Sequence, residues 1–209
     1  MNKELIEFCF KGNRNYVHGT DIFNKIVKFL IQGKLGINSI NNLNFSIHRQ
    51  INNNINFILT NNKQIFYDDF DILFSFKTAN GNEFSIYGFE SNIPINCRYE
   101  YDEDKIYKFS EIDLEEKTII LNKNTGYTFI ENIVAMNKFL LTKVFETENI
   151  GKWFFVRLEL NNFHMNNIRD FHPIKLQVKT NLGLRMIKSY IKSGNIEGYI
   201  YFSLKKFGK

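Results

Sequence analysis

Asp21-Ile22-Phe23-Asn24-Lys25-Ile26-Val27-Lys28-Phe29-Leu30 and Glu131-Asn132-Ile133-Val134-Ala135-Met136-Asn137-Lys138-Phe139-Leu140 close on the same tripeptide, 110 residues apart. Each stretch opens on a carboxylate and carries apolar residues at helical spacing: 22, 23, 26, 27, 29 and 30 in the first, and 133, 134, 136, 140, 141 and 144 in the second and its continuation. That spacing predicts two helices with wide apolar faces, which must be largely covered by protein. The register extends outward from the tripeptides. Phe8-Cys9-Phe10 falls on Thr118-Ile119-Ile120, the polar run from Gly12 to Tyr16 on that from Asn122 to Gly126, and Phe23 and Ile26 on Ile133 and Met136. Pattern is repeated here more than identity, as in an internally duplicated chain.

The segments C-terminal to each helix repeat as well. Strand-like stretches run over 43–50, 55–60, 71–78 and 83–89, then over 153–160, 174–180, 184–192 and 197–204. The last pair in each half is a hairpin by its turn chemistry, since Asn80-Gly81 and Ser193-Gly194-Asn195 accept positive φ between alternating strands. Each half thus reads as strand, loop, helix and four antiparallel strands, an α+β class with halves at 1–96 and 97–209. The acid-rich run from Glu100 to Glu116 reads as the linker between them. Arg185 to Ser193 is the one segment whose Ile187, Tyr190 and Ile191 also permit a helical reading.

Composition narrows the classes. The chain has 209 residues, 44% of them hydrophobic, with 22 Phe and 10 Tyr, so it can bury a sizeable core and is neither disordered nor collagenous. No apolar run reaches the roughly 18 residues of a membrane span, and residues 1–13 hold too short an apolar core for a signal peptide, which predicts a cytoplasmic protein without a membrane span. The two cysteines, Cys9 and Cys97, stand alone in sequence and are expected to be reduced. A net charge of +5 permits an anionic partner but over this length is weak evidence for nucleic acid, which is not the expected partner. The basic C-terminal stretch with Tyr190, Tyr199 and Tyr201 nevertheless offers a stacking surface, which keeps a nucleic-acid-binding reading open.

One long apolar helix followed by a curled antiparallel sheet, occurring twice, resembles the hotdog superfamily in its tandem double-hotdog form. The resemblance implies two helix-wrapping units whose sheets join into one. It further implies an acyl thioester, of coenzyme A or of an acyl carrier protein, as partner, processed by a thioesterase or a 3-hydroxyacyl dehydratase with no cofactor. A homodimer is compatible with it. A catalytically silent acyl-binding or carrier-binding protein is the alternative. Tandem ferredoxin-like domains, a competing fold, would need a second helix in each half.

In the hotdog superfamily the thioester carbonyl meets the N-terminus of the central helix, where amide N–H groups and the dipole stabilise an oxyanion. In the first half that region is the run from Gly12 to Asp21. His18 resembles the His before the helix of hotdog dehydratases, although their Gly-His-Phe-Pro is here Val17-His18-Gly19-Thr20. Asp21 and Glu131, equivalent in the repeat, resemble the helix carboxylate of hotdog thioesterases. The three form the candidate catalytic set, His18 paired with Glu131 across the two halves, with Arg14, Asn15, Tyr16 and Gly19 as substrate-binding candidates. Each has a structural alternative: Thr128-Phe129-Ile130-Glu131 is a capping-box pattern, and Asp21 would meet a helix dipole favourably. His164, Asp170 and His172 are of metal-ligating types, but their spacing fits no metal framework.

Overall fold

The computed structural model describes residues 3–32, 37–61, 69–165 and 173–207. Two compact units divide the chain: unit 1 holds residues 1–102 with 162–166, and unit 2 holds 103–161 with 167–209. Among the described residues no helix is long and apolar enough to cross a membrane.

Unit 1 runs β1 (Lys3–Ile6), β2 (Phe10–Lys11), α1 (Gly19–Gln32), β3 (Ser39–Ile47), β4 (Asn53–Thr60), β5 (Ile72–Thr78), β6 (Glu83–Pro94) and β7 (Arg98–Tyr99). Five strands pair antiparallel in the order β1-β4-β6-β5-β3, and β2 pairs with β7 in parallel. The apolar face of α1, made of Ile22, Phe23, Ile26, Val27 and Leu30, is buried. The Phe23 ring lies 5.7 Å from Phe45 of β3, 5.7 Å from Phe74 of β5 and 5.5 Å from Phe163, while Phe29 lies 6.2 Å from Phe57 of β4. The helix is therefore seated on side chains from strands on both sides of β6. Each buried Phe contributes about 1.5–3 kcal/mol, and each edge-to-face pair about 0.5–1.5 kcal/mol more. Where the sequence predicts a strand from Leu43, β3 begins at Ser39: the register shifts between Asn41 and Asn44, with Asn42 at φ 50°. A bulge bends a strand through residues whose propensity alone points to a loop.

Unit 2 runs α2 (Asp104–Lys108), β8 (Ser110–Asp113), β9 (Thr118–Leu121), α3 (Phe129–Val144), β10 (Gly151–His164, its residues through Asn161), β11 (Ile174–Asn181), β12 (Ile187–Ser193) and β13 (Ile196–Lys206). Its strands pair antiparallel in the order β10-β13-β12-β11-β9-β8. Helix α3 is buried nearly all round from Phe129 to Asn137, Glu131 excepted. Part of its cover comes from α2, whose Tyr107 stacks on Phe139 at 4.7 Å, with Glu103 accepting from Lys138 at 2.5 Å. From Glu103 onward the acid-rich run read as a linker is thus a structured part of unit 2. Its acids other than Glu103 face solvent while Ile106 is buried, a division that charge counting does not register. The segment open to a helical reading is the strand β12, with Ile187, Ser189, Ile191 and Ser193 buried at period two.

Both expected hairpins are present. Gly81 joins β5 to β6 at φ 79°, and Gly194 joins β12 to β13 at φ 54°. A third glycine matters for close approach: a Cβ on Gly198 of β13 would fall on the carbonyl oxygen of Glu159 in β10. Backbone cannot yield as a flexible side chain can, so Gly198→Ala is expected to destabilise by about 1–3 kcal/mol in urea unfolding. A loss below about 0.5 kcal/mol would show that the two strands separate freely there.

Candidate active site

The turn that leads into α1 is held from below by the β2–β7 pair. Phe10 N donates to Cys97 O at 2.9 Å and Gly12 N to Tyr99 O at 2.8 Å, and Gly12 takes φ 56°, which turns the chain away from the pair. Arg98 braces the same turn through the carbonyls of Gly12 and, at 2.6 Å, Arg14. Cys9 and Cys97 are joined in a disulfide, correcting the reading of two reduced thiols. They lie 88 residues apart in sequence, and only the pairing of β2 with β7 brings their Cα atoms to 4.7 Å.

On this base stands a polar cluster. Lys11 is completely buried, and its Nζ donates to Thr20 Oγ1 at 3.1 Å and to Asp21 Oδ1 at 3.2 Å. The ammonium also sits 4.0 Å from the centroid of the Tyr101 ring, a cation–π contact that helps offset its desolvation. Asp21 is 13% exposed and Thr20 1%. His18 Nδ1 is 2.8 Å from Thr20 Oγ1, and Thr20 Oγ1 lies 3.4 Å from Asp21 Oδ1. The His18 carbonyl accepts from the amides of Asp21 and Ile22, at 2.9 and 3.2 Å. The amides of Gly19 and Thr20 therefore lie ahead of the intrahelical ladder, at the positive end of the α1 dipole.

Of the candidates in the first half, His18 and Asp21 are brought together, both contacting Thr20. Tyr16 is half-buried with its ring 6.5 Å from that of His18, Gly19 is buried in the first turn, and Asn15 is exposed. Arg14 donates to the Lys11 carbonyl at 3.4 Å and stands 5.9 Å from the Tyr101 ring. Lys11, Thr20, Arg98 and Tyr101 are absent from the sequence-derived set. The signal for Lys11 is slight: a lysine closing an apolar strand just before a glycine.

The equivalent turn of unit 2 is built otherwise. Glu131 Oε2 accepts from the Thr128 amide at 3.0 Å and from its hydroxyl at 2.8 Å, while the Glu131 amide donates to Thr128 Oγ1 at 3.4 Å. This is the complete capping box foreseen as its structural alternative. Thr125 Oγ1 donates to Asn132 Oδ1 at 2.7 Å, also buried. A carboxylate held by an amide and a hydroxyl stitches this turn where a lysine–aspartate pair stitches the first.

Elsewhere, Tyr190, Tyr199 and Tyr201 lie on adjoining strands β12 and β13. Lys188 Nζ sits 3.7 Å from the Tyr199 centroid, and Tyr201 donates to Glu159 at 2.6 Å. Burial raises the Tyr201 hydroxyl above its ordinary range, and the Glu159 hydrogen bond adds to the rise. His164 is exposed; Asp170 and His172 lie outside the described residues, among which no group of three metal-ligating side chains occurs.

No protein family matches the chain by sequence, and no curated protein does. Solved structures do match by shape. The tesB protein of Mycobacterium avium subspecies paratuberculosis superposes with a TM-score of 0.51 at 6% identity, over 97% of this chain and 93% of that one. The fold is that of the hotdog proteins. The dehydratase domain of PpsC from Mycobacterium tuberculosis, in complex with C12:1-CoA, gives 0.51 at 7% identity over 97% and 92%. A protein described as thioesterase II from Thermobifida fusca gives 0.50 at 7% over 98% and 93%. At such identities the likeness is one of hotdog architecture, and the chemistry of this hotdog chain has to be read from its own residues.

Proposed function

We propose that this chain processes acyl thioesters of coenzyme A or an acyl carrier protein at the N-terminus of α1, as a thioesterase or a 3-hydroxyacyl dehydratase. The observation that carries the reading is the coincidence, in one turn, of a helix N-terminus, His18 and a buried Lys11–Asp21 pair. A thioester carbonyl directed at Gly19 and Thr20 would meet amide N–H groups and the positive end of the dipole, which stabilise a developing oxyanion. His18 is the group suited to move a proton near neutral pH. Asp21 acts in this reading as the counter-ion of Lys11, holding the turn and the charge around His18. The hotdog neighbours support the substrate class, since their own names include thioesterase and dehydratase and one is bound to an acyl-CoA. The reading also takes the arrangement to be a tandem one, two repeat-defined halves at 1–96 and 97–209 with their sheets joined.

The test is turnover of a panel of acyl-coenzyme A and acyl carrier protein thioesters, with and without a 3-hydroxyl. His18→Ala is expected to lower kcat by about 10²- to 10⁴-fold. Asp21→Asn should lower it less. Glu131→Gln tests the expected pairing with His18: a loss in the double variant smaller than the product of the single losses keeps Glu131 in the site, and multiplicative losses leave it as a cap. Tight binding of acyl-coenzyme A without turnover by the wild-type protein would instead indicate the silent acyl-binding alternative.

For the compartment the reading keeps the cytoplasm, where thiols are generally held reduced, whereas an oxidising compartment preserves a disulfide. Alkylation of the protein directly on cell lysis distinguishes the two states of Cys9 and Cys97.

A further inference from the structure

Thr20 makes three polar contacts through one hydroxyl, and the chemistry of the three partners leaves few ways to place its single proton. A hydroxyl has one O–H to donate and two lone pairs to receive. Lys11 is an ammonium and can only donate; its Nζ lies 3.1 Å from Oγ1 and takes one lone pair. Asp21, ion-paired to that ammonium at 3.2 Å, is a carboxylate and can only accept; its Oδ1 lies 3.4 Å from Oγ1. The third partner is the ring nitrogen Nδ1 of His18, at 2.8 Å. All three contacts are hydrogen bonds in one arrangement alone. The hydroxyl proton points at Asp21, one lone pair receives Lys11, and the second receives a proton carried by His18 Nδ1.

We infer that Thr20 is a positioning residue that holds neutral His18 as the Nδ1–H tautomer, with Nε2 as its basic nitrogen, under the direction of the Lys11–Asp21 pair. The inference rests on the proposed reading in which His18 moves a proton, and it names the nitrogen that does so. Which nitrogen is able to accept depends on the hydrogen bond made by the other. Here that bond is made by the hydroxyl of a buried threonine, two residues along the same turn. A threonine hydroxyl with no other partner would swivel to serve either tautomer. Lys11 occupies one of its lone pairs and Asp21 attracts its proton, so its freedom to donate to Nδ1 is removed. Lys11 and Asp21 are charged groups that meet the hydroxyl, and the Arg14 guanidinium stands 5.9 Å from the Tyr101 ring that faces Lys11. The equivalent turn of unit 2 has Thr128 in place of His18, and its hydroxyl is committed to Glu131.

The tautomer is read directly from the ring-nitrogen chemical shifts of His18 in protein carrying ¹⁵N-histidine, assigned by comparison with His18→Gln, at a pH where the ring is neutral. The expected result is Nδ1 protonated and Nε2 unprotonated. Thr20→Ser should keep this pattern. Thr20→Val, equal in shape but without the hydroxyl, should shift the population toward Nε2–H and lower kcat on an active acyl thioester by about tenfold or more, with KM little changed. An Nε2–H ring in the wild-type protein, or a tautomer unmoved by Thr20→Val, overturns the inference and leaves the acyl-thioester reading standing. If the Nδ1–H tautomer is found and lost in Thr20→Val, yet His18→Gln turns over acyl thioesters as wild type does, the tautomer assignment stands and the catalytic reading fails. Far-UV circular dichroism matching wild type for Thr20→Val and Thr20→Ser establishes that neither result reflects unfolding.

Discussion

Replacing Lys11 by methionine is expected to cost about 3–5 kcal/mol of stability, because it leaves the Asp21 carboxylate in a largely buried site without its cation. The side chain of Lys11 is fully buried and that of Asp21 13% exposed, so water cannot take over the role of the ammonium. The methylene stem is not the issue, since methionine fills much the same volume. The penalty belongs to the stranded charge, and a second substitution reveals this. Lys11→Met with Asp21→Asn together should recover at least half of the loss, since a neutral amide costs far less to bury than an uncompensated carboxylate. Urea unfolding of the two single variants and the double variant measures the cycle. If the double variant were as damaged as the sum of the singles, packing around the lysine stem, and not the ion pair, would be what the turn depends on, and that would falsify the electrostatic account.

Opening the Cys9–Cys97 disulfide, by reduction or as Cys9→Ser with Cys97→Ser, is expected to cost about 2–4 kcal/mol. The bond closes a long loop, 88 residues between its ends, and a cross-link of that span restricts the unfolded chain strongly. For a chain of this size the corresponding fall in Tm is roughly 5–15 °C. The effect should also be local. Cys9 immediately precedes β2 and Cys97 immediately precedes β7, and those two strands pair through a two-residue register that is short for an independent element. The Arg98 brace on Gly12 and Arg14 depends on that pairing. Amide exchange in the open form should therefore quicken first at Phe10 and Gly12, ahead of β4 and β6. Unchanged exchange there, or a Tm within about 2 °C of the oxidised protein, would show that the strands hold the turn without the bond.

How much of this was legible in the sequence differs between elements, for reasons that can be named. The helices α1 and α3 were legible because apolar residues recur in them at helical spacing, and their starts lie 110 residues apart, as the repeat requires. The β5–β6 and β12–β13 hairpins were legible because their turns need positive φ, which few residues other than Gly supply. Legibility ended where partners are distant. β1 pairs with β4, its residues Lys3 to Ile6 lying opposite Ile58 to Ile55, and Lys3-Glu4-Leu5-Ile6 is too short and too charged to read as a strand by itself. The acids of α2 and β8 concealed the buried Ile106 and also Tyr107, which stacks on Phe139 of α3.

The site divides along the same line. His18, Asp21 and Gly19 could be selected from sequence because position relative to a helix N-terminus is a local property. Lys11 could not, because a lysine closing a strand normally extends into water, and its burial here follows from Tyr101, ninety residues later, lying across it. Thr20 could be read locally only as a neighbour of a helix carboxylate.

The sequence alone therefore determined the two long helices, the order of the long strands and the turns that fold the last pair in each half back on itself, and it nominated the turn before α1 as the place to look for chemistry. Periodicity and turn stereochemistry are written over a few consecutive residues, and there they need no tertiary partner. The tertiary structure decided what that place contains. The burial of the Lys11 ammonium against Tyr101, and a disulfide joining the bases of two strands, depend on contacts between residues far apart in the chain. Charge burial and cross-linking are properties of proximity in space, and no local pattern in this sequence encodes them.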